Sequence, residues 1–211
     1  MKAPTGTRLY RHALTAILAG GSLALVLNAC GTAGTMPQIA SEKEGPPYGG
    51  QASVSYAQSL WNAMNNARLV GDQAIHTVPY AGQEPHGAVL EALYSKVSVG
   101  GIAGVAGHEG KVIVKKNYNG DGITNEKVAN HPAKYLSSIT VMFKREAGYD
   151  PEDNNWFWAK YKPDGTVATD DQGMKLAGRV AKGTGQGCIS CHSKHRDTDF
   201  QFNKSDFVNS K

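Results

Sequence analysis

Cys188-Ile189-Ser190-Cys191-His192 sets two thiols three positions apart with an imidazole directly after the second. This spacing reads as covalent attachment of a c-type haem: the thiols add across the two vinyl groups, and the imidazole on the same turn reaches the iron from one face. Two other uses of the same residues carry less weight. A thioredoxin-like redox pair needs a βαβ context before a helix N-terminus, and the flanking residues do not supply one. A zinc site could draw on Cys188, Cys191 and either His192 or His195. All those ligands would come from one turn, however, and no second Cys pair closes the tetrahedron. The expectation is one covalent haem c with His192 as an axial iron ligand.

The placement of the motif bears on the other iron face. Small electron-transfer cytochromes carry the motif near the N-terminus and take a downstream Met as sixth ligand. Here few residues follow His192 and none is Met. Five-coordinate iron with an open face is therefore the first expectation, with Met142, Met174 and His86 as upstream candidates for the sixth position.

The N-terminus suggests where the haem is attached. Lys2, Arg8 and Arg11 precede an apolar stretch from Ala13 to Leu27, broken by Gly20, Gly21 and Ser22, which has the layout of a signal peptide. It is shorter than the roughly 20 apolar residues that span a bilayer. Leu27-Asn28-Ala29-Cys30 resembles a bacterial lipobox, with Cys30 as the lipidated residue; plain cleavage near Ala29 is the alternative, because Asn28 is unusual at its place. Lipidation also balances the cysteines, since the three are then one lipid anchor and two haem thioethers, with none left over. The expected organisation is a lipoprotein signal peptide over 1–29, a flexible tether rich in Gly, Pro, Ser and Thr over 30–51, and one haem domain over 52–211. The protein is expected on the periplasmic side of a bacterial membrane, and Gly31 after the lipidated Cys favours the outer one.

The chain carries 22 Lys+Arg against 18 Asp+Glu. Three of those cations and none of the acids precede Cys30, so the remainder is close to neutral. That argues against nucleic acid and against polybasic membrane binding.

The elements that must position the motif form an α+β pattern. Tyr56, Leu60, Trp61, Met64 and Leu69 share one face of a helix expected from Ser53 to Val70, with Gly71 as its stop. Trp61 could line a cofactor, but on such a stripe it reads first as core. Val89–Val99, Lys111–Tyr118, Ser138–Arg145, Asn155–Lys162 and Thr166–Thr169 read as short strands bounded by Gly, Pro and Asp. The short turns between the later ones call for a mainly antiparallel sheet. A short helix over Thr124–Asn130 and helical turns at Leu176–Ala181 and at the haem motif complete the expectation. Asn117–Gly122 mimics the start of a calcium loop, but position twelve of that register is Val128, so it reads as a turn.

Five stretches carry a family resemblance: Val112–Tyr118 (VIVKKNY), Thr140–Lys144 (TVMFK), Gly148–Glu152 (GYDPE), Asn155–Tyr161 (NWFWAKY), and the haem motif with Asp197-Thr198-Asp199-Phe200. From about Tyr80 to Phe202 the chain resembles the cytochrome P460 family. The resemblance implies a mainly β haem domain shared with cytochrome c′-beta, often a homodimer, with the motif histidine on the iron and the opposite face open. Members of the P460 branch oxidise hydroxylamine and bear an extra bond from a lysine to the porphyrin. Members of the c′-beta branch lack that bond and bind nitric oxide. Expected partners are thus a small nitrogenous ligand or substrate, a periplasmic electron acceptor, and the membrane through the lipid anchor.

Lys115 and Lys116 are the candidates for that bond. Strand alternation groups Lys116 with Val112, Val114 and Tyr118, which favours it for an apolar, haem-facing side, whereas the family pattern favours Lys115. The alternative is that both are solvated. Hydroxylamine oxidation also calls for a proton acceptor, for which Glu91, Glu146 and Glu152 are the candidates. Phe143, Trp156, Phe157 and Trp158 are the candidate pocket walls, because alternating aromatics need a flat apolar partner.

Overall fold

Between Val89 and Tyr161 the β-branched and aromatic runs fold back through short connections, so each strand pairs with its neighbour in sequence. The computed structural model describes residues 47–102 and 106–202; the expected signal peptide, Cys30 and most of the expected tether lie outside the described residues. Six strands form one antiparallel sheet in the order β1–β6: β1 Tyr80–Ala81, β2 Val89–Val99, β3 His108–Tyr118, β4 Leu136–Lys144, β5 Trp156–Tyr161 and β6 Ala177–Gly178. With four α-helices among the described residues, of which α4 (Cys188–His192) holds the motif, the fold is α+β as expected.

Helix α1, Gln51–Asn66, covers one face of the sheet. Its stripe of Tyr56, Leu60, Trp61 and Met64 packs on Val112, Val114, Val141, Phe143, Phe157 and Tyr161. Each fully buried side chain of this size contributes about 1.5–3 kcal/mol. Tyr161 Oη donates to the Ala57 carbonyl at 2.8 Å, and Trp61 lies 5.0 Å from the Tyr161 ring, which makes Trp61 core.

The helix ends earlier than its apolar stripe implies. Arg68 at φ 57° closes it, with Arg68 N–H donating to Asn65 O and Leu69 N–H to Met64 O. This is the paired bonding of a Schellman cap, with Leu69 as its apolar contact, so the stop falls at Arg68 and not at Gly71.

The opposite face carries Ile113, Met142, Trp156 and Trp158, and it is covered by Val180, Ala181, Ile189 and Phe200 from the C-terminal segment. Both faces are therefore buried along β3 to β5. Between β3 and β4, α2 (Asn125–Asn130) starts on the Thr124 hydroxyl, which accepts from Lys127 N–H at 3.2 Å, and α3 is Pro132–Tyr135.

Two expected elements differ. Thr166–Thr169 forms only isolated bridges, Val167 to Tyr161 and Thr169 to Lys175, because Asp164 and Asp170 hold tight turns on either side. Leu176–Ala181 is not helical: Ala177–Gly178 pairs with β5 as β6, and the chain turns only after Arg179.

Candidate functional site

Helix α4, Cys188–His192, is a single turn whose start demands a glycine. Gly187 sits at φ 105°, and a Cβ there would overlap Ala181. Ile189 N–H donates to Val180 O at 3.3 Å and its side chain is buried, which turns the helix so that His192 points inward and is itself buried. His192 Nδ1 lies 2.7 Å from the Phe200 carbonyl. That oxygen can only accept, so Nδ1 carries the proton and Nε2 keeps its lone pair, the tautomer a metal-bound imidazole needs.

Trp158 lies edge-on to His192 at 4.9 Å and Phe202 at 4.9 Å. The His86 ring, from the loop after β1, stands perpendicular at 6.2 Å.

These side chains meet in a cleft lined by His86, Ile113, Lys115, Thr140, Val141, Met142, Trp158, Ala159, Cys188 and His192. Cross-strand register assembles it: Ala92, Lys115, Thr140 and Lys160 are successive partners across β2–β5, flanked by the row Ile113, Met142 and Trp158. The cleft is short of acceptors. Trp158 Nε1 is buried and meets no partner. Lys115 is 8% exposed, and its Nζ lies 5.7 Å from the centre of the Phe202 ring. Burial holds its pKa down to about 8. Burial, reinforced by the Lys115 charge, lowers His86 to about 4 and His192 to about 3, so both are neutral at pH 7. The Cys188 thiol is pushed up to about 11 by burial.

The residues present fit a haem c. Two thiols one turn apart, a neutral imidazole with a free Nε2, a flat indole wall, and unpaired donors at Trp158 and Lys115 match a macrocycle that is apolar and bears carboxylates.

Lys115 and Lys116 point to opposite faces. Lys116, 2% exposed, donates to Ile75 O at 2.5 Å and pairs with Glu91 at 3.6 Å under the α1 side of the sheet. Alternation points to Lys116 only if the apolar row is the haem row. Both rows are covered, so that inference fails and only Lys115 reaches the cleft.

The same parity corrects two of the four aromatic candidates. Phe143 and Phe157 pack against Tyr56 in the α1 core, away from the motif. Trp158 lines the cleft, while Trp156 lies on the motif face and donates from Nε1 to Asp199 O and Oδ1, both at 3.1 Å.

None of the three candidate acids enters the cleft. Glu91 is buried on the far face between Lys116 and His76, which it meets at 3.1 Å. Glu146 pairs with Arg145 at 2.6 Å, and Glu152, its side chain 80% exposed, pairs with Lys182 at 3.0 Å.

Of the sixth-ligand candidates, His86 and Met142 line the cleft and Met174 does not. Thr140, Lys160 and Phe202 were not singled out from sequence. Counting across the strands from Lys115 would have found Thr140 and Lys160, but only with the register in hand.

No curated protein and no solved structure matches the chain. The model of the cytochrome P460 family matches residues 82–203, more than half of the 211 residues and every strand from β2 to β6 together with the motif. The chain belongs to the cytochrome P460 family, cytochromes that bind haem c covalently.

Proposed function

We propose that this protein is a periplasm-facing, lipid-anchored monohaem cytochrome that oxidises hydroxylamine, with nitric oxide as the related ligand. The observation that carries this reading is Lys115: a buried lysine with no carboxylate partner among the described residues, beside the Cys188 and His192 side chains. A bond from its Nζ to a porphyrin carbon would replace one N–H and one C–H, the two hydrogens leaving to an external two-electron oxidant. Such a bond marks the hydroxylamine-oxidising branch of the family.

In this reading the Cys188 and Cys191 thiols add across the vinyl groups, and His192 Nε2 holds the iron. When bound, the haem supplies an iron that takes a small nitrogenous ligand and passes electrons on. The chain supplies the rest. Removing hydrogens from hydroxylamine releases protons and electrons in equal number. The electrons leave to a periplasmic acceptor, and neutral His86, the proton-accepting side chain on the cleft, takes up protons in place of the expected carboxylate. Trp158 Nε1 donates to an acceptor atom on ligand or haem. Met142, Ile113 and the indole restrict the space to small molecules.

One observation favours a second reading. His86 Nδ1 is 3.2 Å from Thr140 Oγ1, and its ring stands edge-on to that of His192 with the ring centres 6.2 Å apart. Occupation of the sixth iron position by His86 would make the protein an electron carrier.

The test is turnover of hydroxylamine by the purified ferric protein with an artificial electron acceptor, alongside the ferrous spectrum. Turnover with a high-spin spectrum supports the enzyme. Tight nitric oxide binding without turnover moves the protein to c′-beta-type gas binding, and a low-spin spectrum that His86→Ala converts to high spin assigns it to electron transfer.

A further inference from the structure

The bond from His192 Nδ1 to Phe200 O depends on an unusual piece of backbone. Asp199 and Phe200 are consecutive non-glycine residues in the left-handed region, at φ 55° and 64°. Such a conformation is strained for a residue with a Cβ and persists only where its surroundings hold it.

The surroundings converge on one carboxylate. Asp199 Oδ1 accepts from Lys144 Nζ at 2.7 Å, from Asn154 Nδ2 at 2.7 Å and from Trp156 Nε1 at 3.1 Å. Trp156 Nε1 also reaches the Asp199 carbonyl, and Lys144 lies over the Trp156 ring at 4.2 Å. Three donors from the end of β4, the following turn and the start of β5 thus fix one side chain, and that side chain fixes the turn. On its other side, Phe200 N–H donates to His195 O at 2.7 Å and the Phe200 ring is buried.

We infer that Asp199 is a positioning residue for the iron ligand: its carboxylate anchors the C-terminal turn to the sheet so that the Phe200 carbonyl meets His192 Nδ1. It touches neither haem nor substrate and acts only through that carbonyl. A carbonyl accepting from Nδ1–H makes the imidazole a stronger donor at Nε2, which favours ferric over ferrous iron. The sheet therefore sets the strength of the iron–histidine bond through one aspartate on the far side of the histidine. This rests on His192 being the iron ligand, and it holds whichever small molecule the iron takes.

The experiment is resonance Raman spectroscopy of the iron–histidine stretch in the ferrous holoprotein, with the midpoint reduction potential, for Asp199→Ala and Asp199→Asn. Asp199→Ala is expected to lower the stretching frequency and raise the potential. Asp199→Asn, which keeps an acceptor for Asn154 and Trp156 but loses the charge facing Lys144, is expected to fall between it and the parent. A distant substitution of small energetic effect, Thr124→Ala, should leave both readouts unchanged. If Asp199→Ala does not accumulate, Trp156→Phe removes one donor of the same hub and should shift both readouts in the same direction. Parental stretch and potential in a folded Asp199→Ala or Trp156→Phe protein would overturn the inference, as would an equal shift from Thr124→Ala. Absence of any iron–histidine stretch in a parent whose ferrous spectrum is five-coordinate and high-spin would instead remove the His192 assignment on which it rests.

Discussion

Lys115 and Lys116 are neighbours on β3 and both are buried, yet the two faces of the sheet treat them in opposite ways. On the α1 face, Lys116 is answered by Glu91 and the Ile75 carbonyl, and Glu91 by His76, so charge is neutralised where it is buried. On the motif face, Lys115 meets two neutral histidines, an indole N–H without a partner, and a thiol. A protein that buries a cation without an anion tolerates a desolvation cost of several kcal/mol unless something else occupies the site. The difference separates a face built for stability from one left incomplete for a bound group.

Substitutions on each face sharpen that contrast. Glu91→Leu should have the largest effect on stability, about 3–5 kcal/mol in denaturant unfolding, because it strands Lys116 in the core. The surviving folded protein should keep the parental haem spectrum, and an altered spectrum would mean the faces are not independent. Leu60→Ala, a cavity under α1, should cost about 2–5 kcal/mol, again with no spectral change.

The motif face should instead show itself in acid. His86 is held near 4 against an ordinary value of 6.5, so the unfolded chain takes up a proton in that window before the folded one does. Stability is whole above pH 6.5 and is lost as pH falls towards 4, by up to about 3 kcal/mol. The groups that face His86 are Lys115, Lys160 and His192, with Thr140 and Asn117 as hydrogen-bond neighbours. His86→Gln should reduce the slope of the stability profile between pH 6.5 and 4 without abolishing it, because His192 is held down over the same window; an unchanged slope would place the acid sensitivity elsewhere. Smallest is Thr124→Ala, about 1 kcal/mol from a lost N-cap, with neither face affected.

Much of the frame was legible in the sequence. β2 runs over Val89–Val99 as its pattern implies, and α2 begins at the Thr124 cap. The motif is one turn of helix, with Cys188 and His192 facing one cleft. What failed did so for one main reason: alternation identifies which residues share a face but not which face meets the haem. Lys116, Phe143 and Phe157 were drawn toward the site by that ambiguity and Glu91 by its carboxyl alone, and all four lie on the sheet face opposite the motif. The end of α1 and the pairing of β6 were hidden for another reason. A left-handed Arg68 and a two-residue strand are set by tertiary contacts, with no local signal in residue type. Asp199 belonged to a stretch that carried the family resemblance, but its role needed the Trp156, Lys144 and Asn154 side chains to be placed around it.

The central claim, that Lys115 and not Lys116 serves the haem face, is tested most directly by intact mass and the ferrous absorption spectrum of the parent, Lys115→Leu and Lys116→Leu proteins. The account predicts that the parent lacks two hydrogens relative to chain plus haem joined by two thioethers, and that its Soret band is strongly red-shifted. Lys115→Leu should restore both the hydrogens and an ordinary high-spin c-type spectrum, while Lys116→Leu should leave the bond in place. A parent with two thioethers only, or a third bond that survives Lys115→Leu, would contradict it.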